Sequence, residues 1–381
     1  MGNWIFNGGL IWTQNHLKKN DTFSIYVENE EDRIIHLEDE DVLTPGLYDI
    51  HCHLWGYKGI FGRKDAKGRG IVAKENLAFN NLSMEQILTT GVYGCADAGS
   101  FGYNDWENAD RIWSLHRMNI KSWIHIFPEG LTTPYKPYTL PENIDIDLLV
   151  SLYKNANGRL LGFKFMQGRA DNDQKKELDW LKVAREAADR AQAPLMVHVS
   201  RSVTDIRETL KYLRSGDIIS HAYNNIGPKG IILDEHGIPY PEVIEAKKRG
   251  VKFELSVASC QFSHAIFTKA LSYGLTPDFI ASDACSFSLH KPPLYDLVHV
   301  LSGIIAAGLN KEQAFTAIID TPSNYMGFKP DYSKNLLVLK KDNILTTYTD
   351  MEESLNPDNW QSNWTYQSAY GIYNNHCIFI N

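Results

Sequence analysis

The stretch TPGLYDIHCHLWGYKG, residues 44–59, combines a turn, a short apolar strand and two histidines that flank a cysteine. Residues two apart in a strand point to the same face, so His51 and His53 project together while Cys52 projects away. Two imidazoles on one face form a chelating pair for a borderline-soft divalent metal ion. An ordinary buried strand end fits the same pattern, so residues elsewhere in the chain have to separate the two interpretations.

Eight short apolar runs follow one another along the chain and predict strands. They are GLYDIHCHL, GVYGCADAG, KSWIHIFPEG, RLLGFKFMQG, PLMVHVS, DIISHAYN, VKFELSVAS and DFIASDACS. Helix-like segments separate them, such as LSMEQILTTG, in which Ser83 and Gln86 match a capping box. Strands that alternate with helices predict an α/β fold with a parallel sheet closed into a (β/α)8 TIM barrel.

The two ends of the chain differ from the middle, because their short alternating runs predict strands without helices between them. Residues 1–44 and 330–381 contain TFSIYVENE and NLLVLKKDN, respectively. Neither end has enough strands to be stable alone. We therefore expect both to combine into a small β-sandwich-like domain beside a barrel formed by residues 45–329.

Composition restricts the classes of partner and location. The 381-residue chain carries a formal net charge of −8, which argues against nucleic acid or an anionic membrane surface as its main partner. It contains no apolar run that could span a bilayer and no recognisable secretory signal. Its five cysteines include no CxxC pair, as is typical of reduced thiols. We expect a cytoplasmic homo-oligomer that acts on a small-molecule substrate.

Polar residues interrupt four further strands near their ends. They are Lys164 in GFKFM, His198 in MVHVS, His221 in IISHAYN and Asp283 in IASDA. Buried polar groups of this kind need partners, and active sites of TIM barrels lie at the C-terminal ends of the strands. The barrel would bring these four to one mouth with His51 and His53, which favours the metal-site interpretation.

The order of these histidines, the lysine and the aspartate along the chain resembles the sequence pattern of the amidohydrolase superfamily. The resemblance is to its dihydroorotase-like and adenine-deaminase-like branch in particular, which includes acyl-amino-acid and acyl-mandelate hydrolases. The pattern of that family is PGxxDxHxH, a lysine, two histidines and an aspartate. The matching residues are Pro45, Gly46, Asp49, His51, His53, Lys164, His198, His221 and Asp283. The resemblance covers most of the chain.

The resemblance implies two divalent metal ions, with zinc preferred. His51, His53 and Asp283 would hold one ion. His198 and His221 would hold the other, and Lys164, carboxylated by carbon dioxide to a carbamate, would bridge both. A metal-bridging hydroxide would attack an sp² carbon, and Asp283 would carry the proton to the leaving atom. Asp49 is instead expected to orient a ligand or brace the barrel floor.

The implied activity is hydrolysis of an amide or ester C–N or C–O bond in a small molecule that carries a carboxylate. A deaminase or cyclic-amide hydrolase (adenine-deaminase-, dihydroorotase- or hydantoinase-like) with the same metal centre is the alternative. A non-catalytic scaffold on the same fold is the remote one. The chain departs from the branch after strand seven, in ELSVASCQF, and at Cys285, so we expect a different substrate shell, for which direct transfer of a relative's substrate is unsafe.

Substrate contacts are expected from residues that follow the barrel strands. These candidates are Trp55, Arg169, Tyr223, Asn224 and His290. The basic, glycine-containing loop at residues 56–75 would lie above the metal ions. Such a loop could form a lid that attracts a carboxylate or phosphate, or it could be an exposed loop or a subunit contact.

Overall fold

The structure is a computed structural model of the whole chain. It describes residues 1–55, 82–131, 140–168, 173–227, 229–257, 261–286, 288–350 and 358–381, and the backbone of two short paired strands, Arg63–Lys64 and Gly70–Ile71. The predicted basic loop at residues 56–75 therefore lies, apart from those two strands, outside the described residues.

Eight parallel strands pair in chain order around a barrel. They are Leu47–Cys52, Val92–Gly102, Asn119–His125, Leu160–Met166, Leu195–His198, Ile218–Ser220, Lys252–Ser256 and Phe279–Ala281. The barrel closes where the chain leaves the eighth strand: the Asp283 N–H donates to the His51 carbonyl (2.7 Å) and the His53 N–H to the Ala284 carbonyl (2.8 Å). The predicted α/β barrel is confirmed.

A helix lies in each connection between consecutive barrel strands. In chain order these helices are Met84–Leu88, Trp106–Trp113, Ile146–Asn155, Gln174–Ala191, Ile206–Leu210, Pro241–Lys248 and His264–Ser272. After the eighth strand come Leu297–Ala306, Lys311–Phe315 and Thr321–Met326, with a π-helical turn at Thr316–Asp320; a 3₁₀ turn, Pro141–Asn143, precedes the third helix. The first two strands are buried along their whole length, because the helices cover the barrel outside and side chains fill it inside.

The predicted capping box begins the first of these helices. The Ser83 hydroxyl accepts from the Gln86 N–H (3.2 Å), and the Gln86 side chain accepts from the Ser83 N–H (2.9 Å). Two of the four N–H groups that a helix start leaves unpaired are thereby satisfied. The sequence predicted this helix start because both hydrogen bonds join residues that lie within four positions of each other.

Both chain ends form the additional sheets. A three-stranded sheet contains Thr22–Val27, Gly2–Asn7 and Arg33–His36. A six-stranded sheet contains His376–Ile380, Thr365–Tyr373, Leu336–Asp342, Val42–Thr44, Leu10–Thr13 and His16–Lys19, so it mixes strands of the two ends. The sheets enclose one apolar cluster that includes Trp4, Phe6, Leu336, Val338 and Ile372. The expected small β-sandwich-like unit from both termini is confirmed.

A last hairpin, Thr346–Thr349 with Asn359–Ser362, packs on the barrel helix Leu297–Ala306, where the Trp360 indole donates to the Gly303 carbonyl (2.8 Å). The domain limits at 44/45 and 329/330 stay a prediction. Within the described part of the chain, no helix combines the length and the apolar character needed to cross a bilayer. The cytoplasmic location and the homo-oligomer likewise stay predictions.

Candidate metal centre

The end of the first strand and the turn after the eighth bring two histidines to one aspartate. His53 Nε2 lies 2.9 Å from Asp283 Oδ1, and His51 Nε2 lies 3.3 Å from the same oxygen. His221, which follows the sixth strand, directs Nε2 toward Asp283 Oδ2 at 3.7 Å. All four residues are buried. Three imidazole nitrogens therefore surround one carboxylate at the C-terminal end of the barrel.

This arrangement fits a divalent metal ion. His51, His221 and Asp283 each offer one ligand atom, and these atoms all lie within 4.8 Å of one another. Imidazole nitrogen and carboxylate oxygen are ligands that zinc accepts in catalytic sites. The fit rests on side chains from strands one, six and eight, which only barrel closure brings together.

The opposite ring nitrogen of each histidine has its own partner. His51 Nδ1 lies 3.0 Å from Glu254 Oε1, and His53 Nδ1 lies 2.7 Å from Ser100 Oγ. His221 Nδ1 lies 2.6 Å from Ser256 Oγ. Partners of this kind select the tautomer and fix the ring plane of a metal-binding histidine. All three rings therefore present Nε2 to the centre.

His198, at the end of the fifth strand, stands beside His221 with ring centroids 4.5 Å apart. Its Nε2 lies 2.9 Å from the Ser200 hydroxyl, which in turn donates to Gln261 Oε1. His198 is thus oriented by Nε2, the nitrogen opposite to the one by which the other three histidines are oriented.

Lys164 lies in the barrel interior and is 2% exposed. Among the described residues, its ammonium donates to Met196 Sδ (3.1 Å) and the Ser220 hydroxyl (3.4 Å), neither of which is a carboxylate. Burial lowers the pKa of Lys164 to about 8, although Glu254 and Asp283 oppose this shift. A larger fraction of this amine is therefore neutral near physiological pH than for an exposed lysine.

The charges of these side chains perturb one another strongly. Burial and the Lys164 ammonium oppose protonation of His51, but Asp283 and Glu254 outweigh them and raise the pKa of His51 to about 9. Burial lowers the pKa of His221 to about 4. Burial disfavours ionised Asp283, yet His51 and His53 hold its pKa well below the usual range. Clusters of perturbed groups in a buried site are typical of functional centres.

Two of the converging residues have left-handed backbone conformations. His221 has φ of 60° and Asp283 has φ of 51°, a region that non-glycine residues rarely occupy. The His221 N–H donates to Glu254 Oε2 (2.9 Å), and the Asp283 N–H donates to the His51 carbonyl (2.7 Å). Strained backbone held by specific hydrogen bonds occurs preferentially at functional sites.

Two further aspartates accept hydrogen bonds from backbone N–H groups beside the cluster. Asp49 accepts from the backbone N–H groups of His51 (3.1 Å) and Ser282 (3.2 Å) and from the Ser282 hydroxyl. Asp97 accepts from the N–H groups of Leu54 (2.8 Å) and Trp55 (3.1 Å). Asp49 thus connects the first strand to Ser282, which directly follows the eighth strand. Its expected role of orienting a ligand or bracing the barrel floor stays a prediction.

Of the five residues expected to contact substrate, Tyr223 and Asn224 have partners within the fold. Tyr223 is buried, its hydroxyl donates to the Leu275 carbonyl (3.0 Å), and its ring packs edge-on against Phe267 of an outer helix. The Asn224 side chain stabilises the turn in which it lies. Its amide group donates to the His221 carbonyl (2.7 Å), and its oxygen accepts from the Ile226 backbone N–H. Both side chains have structural partners, which favours packing and turn-bracing roles over substrate binding.

The remaining three candidates differ from one another. The half-buried Trp55 packs edge-on against Phe101 and against Trp113 of an outer helix. His290 is exposed on the loop after the eighth strand. Arg169 lies outside the described residues. Their roles in substrate binding stay predictions.

Sequence reasoning missed Glu254 and the hydroxyls that orient the histidines. Glu254 lies in the seventh strand, is fully buried, and contacts both His51 and His221. Burial opposes its ionisation, but His51 above all holds the pKa of Glu254 at about 2. The one available signal was an acidic residue inside the apolar run VKFELSVAS.

No family model matches the chain. A deacetylase from Agrobacterium fabrum is 23% identical over 289 residues, which are 74% of this chain and 65% of that relative, so the chain matches slightly less than two-thirds of the relative's length.

Among solved structures, a dihydroorotase superposes with a TM-score of 0.76 at 18% identity, covering 98% of both chains. An adenine deaminase superposes with a TM-score of 0.76 at 17% identity, covering 99% of both chains. At this level of identity, the likeness to these structures shows the fold.

The deacetylase and the two solved structures all fit the amidohydrolase superfamily, which confirms the resemblance predicted from the sequence.

Proposed function

We propose that this protein is a metal-dependent hydrolase that cleaves an amide or ester bond of a small, carboxylate-bearing molecule. The observation that carries the proposal is the approach of ligand atoms from His51, His221 and Asp283 to within 4.8 Å of one another. When bound, a pair of divalent ions such as zinc would polarise the scissile carbonyl group and lower the pKa of water.

The proposed ligand sets divide the cluster. His51, His53 and Asp283 would hold one ion, since the Nε2 atoms of both histidines lie within 3.3 Å of Asp283 Oδ1. His198 and His221, with adjacent rings, would hold the second. Lys164, whose amine has no carboxylate partner among the described residues, would bridge them as a carbamate, because a plain ammonium cannot bind cations.

Asp283 would act as the general base. Its two oxygens face histidines from both ligand sets, so it lies at the centre of the cluster. It would accept the proton of the attacking water and return the proton to the leaving nitrogen or oxygen atom. The surrounding side chains hold Asp283 ionised, which is the form that this role needs.

The choice of an acyl substrate is supported by the relative named deacetylase, since removal of an acetyl group is hydrolysis of an acyl bond. A carboxylate on the substrate is proposed from the basic loop at residues 56–75. The loop's side chains lie outside the described residues, so this part rests on the sequence.

Metal analysis and a substrate panel test the proposal together. We expect purified protein supplied with zinc and bicarbonate to bind two ions per chain and to hydrolyse N-acyl amino acids or acyl hydroxy acids. Exclusive ammonia release from an aminopurine, or turnover of hydantoin-like rings alone, would favour the deaminase or cyclic-amide alternative. Metal content well below one ion per chain, without turnover of any compound, would favour the scaffold.

A further inference from the structure

Glu254 connects the two halves of the metal-ligand cluster. It is fully buried at the inner face of the seventh strand. One carboxylate oxygen, Oε1, lies 3.0 Å from His51 Nδ1, and the other, Oε2, accepts from the backbone N–H of His221 at 2.9 Å. One carboxylate therefore contacts two residues that come from the first and the sixth barrel strands.

The two residues that Glu254 contacts are proposed ligands of different metal ions, His51 of one and His221 of the other. At His51, the carboxylate accepts the hydrogen on Nδ1, so Nε2, the nitrogen directed at Asp283, is the one that would lose its hydrogen and bind a metal ion. At His221, which has a left-handed φ of 60°, the Glu254 carboxylate accepts from the backbone N–H. Without this acceptor, a buried N–H in strained backbone would lose its hydrogen bond.

The serine partners of the other histidines lack this double contact. Ser100 Oγ orients His53 alone (2.7 Å), and Ser256 Oγ orients the His221 ring alone (2.6 Å). Glu254 also brings the negative charge nearest to His51 on the side away from Asp283, at 3.0 Å. A carboxylate behind a metal-binding imidazole makes the ring a stronger ligand than a hydroxyl does.

We propose that Glu254 is a positioning residue that couples the two metal sites, by holding one ligand of each through its two oxygens. The inference rests on the proposed metal centre but not on the choice of substrate. It explains why an acidic side chain occupies an interior position of an otherwise apolar strand, where an isolated charge would be costly.

A carboxylate is required because the role needs two acceptors. In Glu254→Gln the amide has one acceptor and one donor of nearly the same shape. If its oxygen faces His51, its NH₂ opposes the His221 N–H. If its oxygen faces His221, its NH₂ donates to His51 Nδ1, which moves the ring hydrogen to Nε2 and removes the lone pair from the metal side. Either orientation disturbs one of the two sites.

The test compares stepwise metal affinities of the full-length protein, measured by chelator competition with zinc. We expect Glu254→Gln to weaken binding about 10- to 100-fold, as removal of outer partners of metal ligands does. Ser100→Ala serves as the comparison that releases His53 alone. Asp217→Asn controls for loss of a buried carboxylate, since Asp217 accepts from the Leu195 N–H (2.7 Å) at the start of the fifth strand, at the other end of the barrel.

A second readout does not depend on turnover. The visible absorption spectrum of the Co²⁺-loaded protein reports ligand geometry, and we expect it to change in Glu254→Gln and to stay as in the wild type in Asp217→Asn. If Glu254→Gln does not fold, Glu254→Asp, which is one methylene too short for both contacts, is expected to show the same loss.

The outcomes separate this inference from the proposed function. Wild-type zinc affinity and an unchanged Co²⁺ spectrum in folded Glu254→Gln would overturn the positioning role and leave the hydrolase proposal intact. Weakened affinity in the variant, with no acyl hydrolysis by the wild type, would support the positioning role and overturn the proposed substrate class. Failure of the wild type to bind metal would overturn both.

Discussion

Gly99 provides a way to displace Lys164 without changing its amine. This glycine has φ of +77°, and a Cβ atom added to it would lie 2.7 Å from Lys164 Cβ and 3.0 Å from Lys164 Cγ. Carbon atoms in contact prefer about 3.5 to 4.0 Å, so Gly99→Ala requires a separation of about 1 Å. The opposed atoms lie near the Lys164 backbone and cannot swing aside as the end of a long side chain could.

The expected size of the effect follows from a matched control. Gly158 has a similar φ of +74°, but an added Cβ meets nothing within 4 Å. Gly158→Ala should therefore cost only the left-handed strain, about 1–2 kcal/mol of unfolding free energy. Gly99→Ala should add overpacking of about 1–3 kcal/mol and, by moving Lys164 about 1 Å, should lower turnover by up to about 100-fold.

Urea denaturation measures the first difference, and metal content with kcat/KM on the substrate found in the panel measures the second. We expect Gly158→Ala to keep wild-type metal content and turnover, whereas Gly99→Ala loses both in part. If Gly99→Ala were as stable as Gly158→Ala, the predicted clash with Lys164 would be refuted. If Gly99→Ala were less stable yet kept wild-type metal content and turnover, the assignment of Lys164 to the centre would be wrong.

Three further predictions concern the base, the metal and a remote histidine. Asp283→Asn should keep the circular dichroism spectrum and lower kcat by about 10²- to 10⁴-fold, and near-wild-type turnover would contradict the proposed base. Chelation should abolish turnover and lower the Tm, with zinc and bicarbonate restoring both; free metal at 100 times its Kd would contribute about 2.7 kcal/mol, and an unchanged Tm would argue against tight binding. Burial lowers the pKa of His299 to about 4, below the unfolded value of about 6.5, so the unfolded chain takes up the proton first on acidification. Between pH 7 and pH 5 the wild type should therefore lose about 1.5–2 kcal/mol of unfolding free energy from this group. Urea denaturation at both pH values should show that His299→Phe lacks this loss. Equal pH dependence of the two proteins would refute the prediction.

The architecture was predictable because its signals are local. Apolar runs alternating with helical patterns indicated the eight strands, and the capping box of Ser83 and Gln86 marked a helix start within four residues. The convergence of His51, His221 and Asp283 was predictable for a related reason, since a barrel gathers the C-terminal ends of all its strands at one mouth. Position along each strand was enough, and no contact had to be known.

Side-chain direction beyond the strand ends was not predictable in the same way. Tyr223 and Asn224 follow the sixth strand, where substrate-binding residues are expected. In the turn that begins at His221, however, Tyr223 packs toward the outer helices, and Asn224 forms hydrogen bonds within the turn itself. The left-handed φ of His221 redirects the chain at that point, and a sequence does not reveal such a turn when the residue is not glycine.

The sequence by itself therefore determined the barrel, the terminal sheets and the convergence of His51, His221 and Asp283, because strand periodicity and strand ends are properties of neighbouring residues. The tertiary structure alone decided how those residues are held. Glu254 contacts His51 across 203 positions of the chain, and Ser100 contacts His53 across 47. Such contacts exist only after the strands close into a barrel, where a buried carboxylate or hydroxyl finds the donor that compensates its loss of water.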